Sequence, residues 1–477
     1  MAGWAPLFSL IQEEIKQRGE EGCDVTGFAE KLEAVKAEAA AAAKANGYNE
    51  SALMDIYNEL MALPIGADFP YSEPSDLETI RAESPAGPAI AAPSLTDGEW
   101  LDKFNGAWLG RSVGCALGKP LEAGPYMNGS GGRPGWENVK LWFEGADAWP
   151  IQGYTPVESA SVADYPDLHI AMWCKASTRE HIAYMETDDD IRYTVLGLHM
   201  LEERGTDFDS WDIGKMWHRK LSYAQVCTAE TQAYLNYAQV TSHMGDSSPE
   251  DRLASKDWVR TYLNPYREWI GAQIRVDGYA YGAAGNPELA AELAWKDSSF
   301  SHVKNGIYGA MFCSAMIAAA FVETDVRRIV EIGLSVIPSG SRLAHDVRFA
   351  IEIANSTTDQ VELVSRIWEA FKHYDAVHTN NNAALCAAAL IYSGGDFEKG
   401  ITTAVLGGWD TDCNGATVGS ILGAMLGAGA LPASWTTPLN DKLYAEVTGF
   451  HPIAISDCAR RSFEVFRKIQ AQTSVIA

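Results

Sequence analysis

Apolar residues recur every three or four positions through most of this chain, a spacing that predicts amphipathic helices. Within 104–117 this spacing is kept by Phe104, Trp108, Leu109 and Val113. Similar patterns occur at 191–203, 229–240, 287–295, 306–322, 326–334, 344–354, 360–371, 383–391, 397–406, 415–430 and 457–470. Alternating patterns typical of strands are scarce, so the sequence predicts an all-α protein built as a large helical bundle.

Glycines stand at every fourth position of the helix predicted over 104–117. They are Gly106, Gly110, Gly114 and Gly118. A glycine in a helix interior costs about 1 kcal/mol relative to alanine, so four at one spacing indicate a specific reason. They either let a neighbouring helix approach closely or leave room for a ligand.

The first 97 residues differ from the rest of the chain. Residues 28–46 are rich in Ala, Glu and Lys, which predicts a strong helix. Residues 70–93 contain five prolines and several acids, a composition typical of a linker or a surface wrap. We expect 1–97 to form a helical extension with a Pro-rich linker that packs on a main domain over 98–477.

Residues 123–168 form a Gly- and Trp-rich insert in which no helical pattern is evident. Long irregular segments inside a domain are often lids or binding loops. The aromatic residues of this insert are Trp136, Trp142, Trp149 and Tyr154. They could stack on a sugar or a base, or hold the insert against the domain.

Composition narrows the possible partners and the compartment. The formal net charge is −26, which argues against nucleic acid because phosphate contacts need clustered Lys and Arg. No apolar run is long enough to span a bilayer and the first residues lack a secretory signal, so we expect a cytoplasmic protein without a membrane partner. The eight cysteines are widely spaced without a CxxC pair, which favours buried reduced thiols over disulfides or a zinc ribbon.

Two clusters of acids are the strongest candidates for chemistry. The upstream acids lie in Glu186-Thr187-Asp188-Asp189-Asp190, directly before an apolar run, and the downstream acids are Asp410 and Asp412. Helix capping explains one or two acids before a helix, but not four in five residues, because neighbouring like charges repel. Hydroxyl and carboxylate oxygens suit Mg²⁺ or Mn²⁺, so we expect the two clusters to close on metal ions between them.

These motifs occur in the order that is typical of a known family. The matching segments are Phe104–Gly110, Gly118–Glu122, Thr187-Asp188-Asp189, Ser301-His302, Gly306–Ala310 and Gly408–Asp412 with the helix that follows it. On these segments the chain resembles the ADP-ribosylglycohydrolases over about residues 98–435. The paired Thr-Asp-Asp and Asp-Thr-Asp motifs are specific, whereas the Gly-rich and Ser-His segments are weak alone.

The resemblance implies an orthogonal all-helical bundle with two Mg²⁺ or Mn²⁺ ions in one site. The metal ligands it implies are Thr187, Asp188, Asp189, Asp410 and Asp412. A Thr or Ser usually follows the last Asp of the family motif as a sixth ligand, and here that residue is Cys413. A soft thiol is a poor partner for Mg²⁺, so one ion could be bound more weakly, be completed by water or be Mn²⁺; alternatively, Cys413 faces the core.

The resemblance also implies residues that contact the substrate. Asp188 or Asp189 would orient or deprotonate the attacking water, and Glu122 would contact the substrate ribose from a mobile segment. Further candidates for substrate contacts are His302, Tyr308, His378, Asn380 and Trp409. For Tyr308 and Trp409 aromatic core packing is the alternative, and for the run 378–382 it is helix capping, which explains one Asn but not three.

The implied reaction is hydrolysis of the glycosidic bond at the distal ribose of an ADP-ribosyl or related ribosyl compound. The substrate is a small molecule or an ADP-ribosylated protein. Two alternatives stay open: a non-catalytic, crystallin-like or ADP-ribose-binding protein, and a two-metal pyrophosphohydrolase that uses the same ions. Product analysis separates them, because glycohydrolysis releases ribose or ADP-ribose and pyrophosphate cleavage releases AMP.

Overall fold

The computed structural model describes residues 3–41, 49–90, 94–242 and 249–476. Their α-helices are α1 Leu7–Glu20, α2 Phe28–Ala41, α3 Glu50–Met61, α4 Leu77–Glu83, α5 Asp97–Gly118, α6 Gly124–Met127, α7 Gly135–Glu144, α8 Asp189–Arg204, α9 Ser210–Lys220, α10 Thr228–Thr241, α11 Pro249–Thr261, α12 Asp277–Gly282, α13 Pro287–Ser298, α14 Lys304–Ala320, α15 Val326–Leu334, α16 Arg342–Asn355, α17 Gln360–Phe371, α18 Thr379–Ser393, α19 Phe397–Leu406, α20 Thr411–Leu426, α21 Ala433–Thr436 and α22 Ile455–Ile476. Short 3-10 segments lie at Lys119–Leu121, Ala160–Ala163, Met172–Ser177, Tyr223–Gln225, Ile270–Arg275, Ala428–Ala430 and Thr437–Leu439.

The architecture is all-α, which confirms the predicted fold class. Within the described ranges, β structure is limited to isolated bridges. Most predicted helices occur with small shifts at their ends; the one predicted over 415–430 begins earlier, at Thr411. The helix predicted over 28–46 is described as far as Ala41, and its remainder lies outside the described residues. No helix among the described residues is long and apolar enough to cross a membrane.

A glycine seam joins α5 to α20 in an antiparallel pair. A Cβ atom added at Gly106, Gly110 or Gly114 would lie 2.2, 2.0 or 1.9 Å from the carbonyl oxygens of Gly423, Gly419 and Gly415 respectively. These distances are far below any van der Waals contact, so the two backbones touch directly. Close helix packing therefore explains the repeated glycines. The seam also sets the C-terminal end of α5 beside the N-terminal end of α20, since Gly118 lies against Thr411.

The insert at 123–168 is more regular than the sequence indicated, because it contains α7. Val139, Trp142 and Phe143 are buried on one side of this helix, at the spacing of three and four that the dense glycines before it obscured. The indole of Trp142 donates to the carbonyl of Pro156, and the hydroxyl of Tyr154 donates to that of Trp435. These two aromatic side chains hold the insert against the domain.

The first three helices pack on the later chain. Phe8, Ile11 and Leu53 share a small apolar cluster with Leu263 and Tyr266, separate from the main core. The Pro-rich segment continues over the same side, where the amide of Ser72 donates to the carbonyl of Gly340. The division of the chain at residues 97 and 98 remains a prediction, but α1 to α3 have no core that is entirely their own.

Buried ion pairs accompany this packing, and we call them the extension network. Its members are Glu14, Glu21, Glu73, Arg267, Glu268, Lys304 and Arg342. Arg267 pairs with Glu14 at 2.8 Å and with Glu21 at 3.0 Å. Arg342 pairs with Glu73 and with Glu268, both at 2.8 Å. Three acids from the first 97 residues thus meet cations from the rest of the chain.

Candidate metal centre

The upstream and downstream acids meet at the starts of two helices. Asp188 is the N-cap residue of α8 and accepts a hydrogen bond from the amide of Asp190 at 2.9 Å. Asp410 precedes the first residue of α20, and Asp412 lies in its first turn. A helix N-terminus carries partial positive charge and stabilises acids there. Carboxylate oxygens of Asp412 lie within 4.8 Å of ligand atoms of both Asp188 and Asp190.

The turn before α20 is strained. Gly408 and Trp409 have φ angles of 74° and 60°, in the left-handed region that a tryptophan rarely adopts. Two contacts hold Trp409 there: its ring stacks on Trp368 with centroids 5.0 Å apart, and its amide donates to the carbonyl of Tyr126 at 3.2 Å. Such strain persists where the surroundings over-determine it, and it often accompanies a functional site.

Carboxylates outnumber cations in this region. Lys119 pairs with Asp188, and the fully buried Arg111 pairs with Asp190 and Asp277, both at 2.9 Å. Within the described part of the chain, ion pairs are absent from four remaining acids: Glu122, Asp189, Asp410 and Asp412. One oxygen of Asp412, Oδ1, is buried without any hydrogen-bond partner. Buried carboxylates without a partner are costly, so the donors fit a divalent cation.

The pKa values of these acids reflect their burial together. Burial and then the charge of Asp188 raise the pKa of Asp412 to about 7. Burial, Asp412 and Glu122 raise the pKa of Asp410 well above its usual range. Burial also acts to raise the pKa of Asp188, but the Lys119 ammonium outweighs it and lowers that pKa. The acids repel one another unless a cation lies among them.

Two thiols face the same acids. The Sγ of Cys413 donates to Asp190 Oδ2 at 3.0 Å, so the thiol of this buried residue faces the acids. The Sγ of Cys115 lies within 4.8 Å of oxygens of Asp188 and Asp412. We define the candidate metal centre as Cys115, Glu122, Asp188, Asp189, Asp190, Asp410, Asp412 and Cys413.

The sequence placed Asp190 in the upstream cluster without naming it among the ligands, and it did not indicate Cys115 or Lys119 as members or neighbours of this centre. Asp190 is the third acid of an obvious triplet, and its pairing with a buried arginine of α5 had no sequence signal. Cys115 and Lys119 are four residues apart and therefore share a face of the chain leaving α5. That spacing, combined with the glycine repeat, could have placed both of them near the helix that α5 contacts.

Thr187 and Glu122 lie at the more open side of the centre. Both are half-buried, as is Asp189. The hydroxyl of Thr187 accepts a hydrogen bond from Arg192 at 3.1 Å. Glu122 follows the 3-10 turn Lys119–Leu121, where burial, Asp412 and Asp188 raise its pKa well above the usual value. The residues that combine acidity with access are therefore Glu122 and Asp189.

The other predicted substrate residues lie toward the extension. His302 is fully buried with Nδ1 2.8 Å from the hydroxyl of Ser301, and Tyr308 donates its hydroxyl to the carbonyl of Pro74. His378 caps α18, and the side-chain Nδ2 of Asn380 donates to a carboxylate oxygen of Asp346 at 2.7 Å. In the described structure none of these contacts includes a member of the candidate metal centre. A role for them in substrate binding remains a prediction, as it does for Trp409.

Asn382, which the sequence did not single out, reaches the downstream turn from α18. Its Oδ1 accepts from the amide of Asp410 at 3.3 Å and from Asn414 at 2.7 Å. Its Nδ2 donates to the carbonyls of Ala376 and His378. The polar residues at the start of α18 thus have different contacts. His378 caps the helix, Asn380 binds Asp346, and Asn382 positions the backbone at Asp410.

Comparison with known proteins identifies a family for most of the chain. The family model described as ADP-ribosylglycohydrolase matches residues 96–470. No curated protein matches the chain. A solved structure titled "ADP-ribosylglycohydrolase-related protein complex" is 19% identical, with 78% of this chain and 99% of that chain covered and a TM-score of 0.47.

Proposed function

Because the chain belongs to the ADP-ribosylglycohydrolase family of glycosyl-bond hydrolases, we propose that it hydrolyses the bond at the anomeric carbon of a ribose. The substrate is an ADP-ribosyl conjugate or a related ribosyl compound, either a small molecule or a modified protein. One observation carries this proposal to this chain: carboxylates from two helix starts converge with Glu122, and four of these acids have no ion pair among the described residues.

We propose Thr187, Asp188, Asp189, Asp410 and Asp412 as ligands of two divalent cations. The oxygen donors among them favour Mg²⁺ or Mn²⁺. When bound, the cations would supply binding of ribose hydroxyls and activation of a water molecule. The buried acids support this assignment, since the unpartnered Oδ1 of Asp412 gains a partner when a cation binds.

The protein's own residues have separate roles in the proposed reaction. Asp189, half-buried and with a pKa raised by burial and by Asp188, accepts a proton from the attacking water. Glu122, across the centre, contacts the ribose and stabilises positive charge that develops at the anomeric carbon as the leaving group departs. Asn382 keeps the backbone of Asp410 in position, and Arg111 holds Asp190 in place beneath the acids.

A substrate screen tests the proposal. Full-length protein is freed of metal, reloaded with Mg²⁺ or Mn²⁺, and given ADP-ribosylated arginine, ADP-ribosylated serine, O-acetyl-ADP-ribose and simple nucleosides. Release of ribose or ADP-ribose, lost in the Asp412→Asn variant, supports glycohydrolysis. Release of AMP instead would assign a pyrophosphohydrolase, and binding of ADP-ribose without turnover would assign a non-catalytic binder. Equal activity of wild type and Asp412→Asn on every substrate would overturn the metal centre.

A further inference from the structure

Two thiols enter the candidate metal centre from different helices. Cys115 comes from α5 and Cys413 from α20, and both are buried. One group of potential ligand atoms within 4.8 Å of one another joins Cys115, Asp188 and Asp412; a second joins Asp190, Asp412 and Cys413. Asp412 belongs to both groups, so each thiol lies close to an oxygen of the same carboxylate.

The surroundings of these thiols differ from those of ordinary core cysteines. A buried cysteine usually behaves as a small apolar residue, as Cys313 does within α14. Among the described residues, Cys115 and Cys413 are the cysteines whose sulfur lies in such a group with carboxylates. Asp412 Oδ1, in the carboxylate that both groups share, is buried and lacks a hydrogen-bond partner. This oxygen independently indicates a missing positive partner at the same place.

Ligand chemistry then distinguishes the possible cations. Thiolates are soft ligands that favour Zn²⁺ and similar ions, whereas Mg²⁺ prefers oxygen ligands alone. A third group, Asp188, Asp189 and Asp190, contains only oxygen donors and suits a hard ion. The centre therefore offers two kinds of donor set: two mixed groups that share Asp412, and one group of oxygen donors alone.

We propose that Cys115 and Cys413 are ligands in the candidate metal centre, each in its own mixed thiolate and carboxylate group, and that the two groups share Asp412. These groups bind a thiophilic divalent cation such as Zn²⁺ or Co²⁺ in preference to Mg²⁺. This inference refines the metal centre of the proposed function but does not depend on which ribosyl bond is cleaved. Each thiol that binds the cation releases its proton to solvent, and no redox change is involved.

The charges around the thiols are compatible with their deprotonation when a cation binds. Without a cation, burial and the adjacent acids raise the pKa of both thiols well above the usual value. A bound divalent cation inverts the local charge, and a coordinating thiol is then deprotonated. The Lys119 ammonium, which acts to lower the pKa of Cys115, stabilises the thiolate of that residue.

Cobalt spectroscopy tests the proposal on the full-length, metal-free protein. Titration with Co²⁺ is expected to produce a near-ultraviolet thiolate-to-cobalt charge-transfer band that Zn²⁺ removes and excess Mg²⁺ does not. Cys115→Ser and Cys413→Ser should each weaken the band and lower Zn²⁺ affinity by at least about tenfold, and the double variant should lack the band. The matched control is Cys23→Ser, whose thiol contacts the carbonyl of Leu63 in the extension.

The outcomes separate this inference from the proposed function. Absence of the band in wild type, or a full band in the folded double variant, overturns the thiolate ligands. Because wild type alone can give the first result, misfolding of a variant does not leave the question open. Glycohydrolase turnover with Mg²⁺ and no cobalt band would retain the function and reject the thiolates. A cobalt band without turnover on any ribosyl substrate would retain the thiolates and reject the function.

Discussion

The extension network and the candidate metal centre are both buried and rich in carboxylates, yet they differ in charge matching. In the network, Glu14, Glu73 and Glu268 each have an arginine nitrogen within 2.8 Å. In the centre, Asp410 and Asp412 form no ion pair within the described residues. The acids of the network are paired with cations of the chain itself, whereas these two acids of the centre are not.

The pKa values show the same contrast. Burial opposes ionisation of Glu268, but Arg342 and Lys304 lower its pKa well below the usual value. Burial also opposes ionisation of Asp412, and there its neighbour Asp188 adds to the effect and raises the pKa. Buried acids alone are therefore weak evidence for a functional site. Buried acids whose nearest charged neighbours are other acids are considerably stronger evidence.

The largest expected effect lies in the metal centre. Replacing Asp412 by Asn removes a proposed ligand, and we expect turnover to fall by at least about 10³-fold, since metal stabilisation of a transition state is worth several kcal/mol. The metal-free variant should be as stable as wild type or more so, because a crowded buried charge has gone. Steady-state kinetics and urea unfolding in a chelator measure the two effects. A marked loss of stability would place Asp412 with the structural charges instead.

The reverse result is expected in the extension network. Arg342→Met leaves Glu73 and Glu268 buried without their cation, and breaking a buried pair in this way costs about 3–5 kcal/mol. Urea unfolding measures this loss, while activity per folded molecule should change little. The matched control is Arg348→Met, on the same helix but exposed, where less than about 0.5 kcal/mol is expected. Equal effects of the two substitutions would contradict the structural role of the network.

An intermediate effect is expected at the glycine seam, which links the two halves of the centre. Gly114→Ala brings a Cβ to 1.9 Å from the carbonyl oxygen of Gly415, so α5 and α20 must separate. We expect the free energy of unfolding to fall by about 1–3 kcal/mol and metal binding to weaken. Thermal unfolding and metal titration measure the two effects. Gly98→Ala is the control on the same helix: nothing lies within 4 Å of its added Cβ, so a gain of up to about 1 kcal/mol is expected.

The smallest effect concerns the edge of the extension network, where the pairing of acids with cations is incomplete. Burial and the charge of Glu268 raise the pKa of Glu20 to about 8. A carboxyl whose pKa is higher in the folded protein stabilises folding below its unfolded pKa, and this contribution is lost as pH rises toward the folded value. Wild type should therefore lose stability between about pH 5 and pH 8, and Glu20→Gln should lose less. Parallel slopes of the melting temperature against pH in the two proteins would refute this.

The sequence predicted much of this molecule because the relevant signals are local. Apolar spacing predicted the helices, the glycine repeat indicated either close packing or room for a ligand, and acids before apolar runs marked the two helix starts that meet in the centre. The contribution of Arg111 was not predictable in this way, because its partner Asp190 lies 79 residues away in the sequence. Likewise, His378 lies 3.5 Å from Glu20, and the local sequence around either residue does not predict this contact. Helix α7 was hidden because glycines and Pro134 crowd its start.

The glycine seam also bears on how this protein can change by mutation. Six positions in it, at 106, 110, 114, 415, 419 and 423, carry no functional group, yet every replacement adds at least one carbon atom between two touching backbones. These positions should therefore be among the least permissive in a saturation library. The close approach of α5 and α20 sets the spacing of the acids in the candidate metal centre, and it therefore depends on residues that have no side chain.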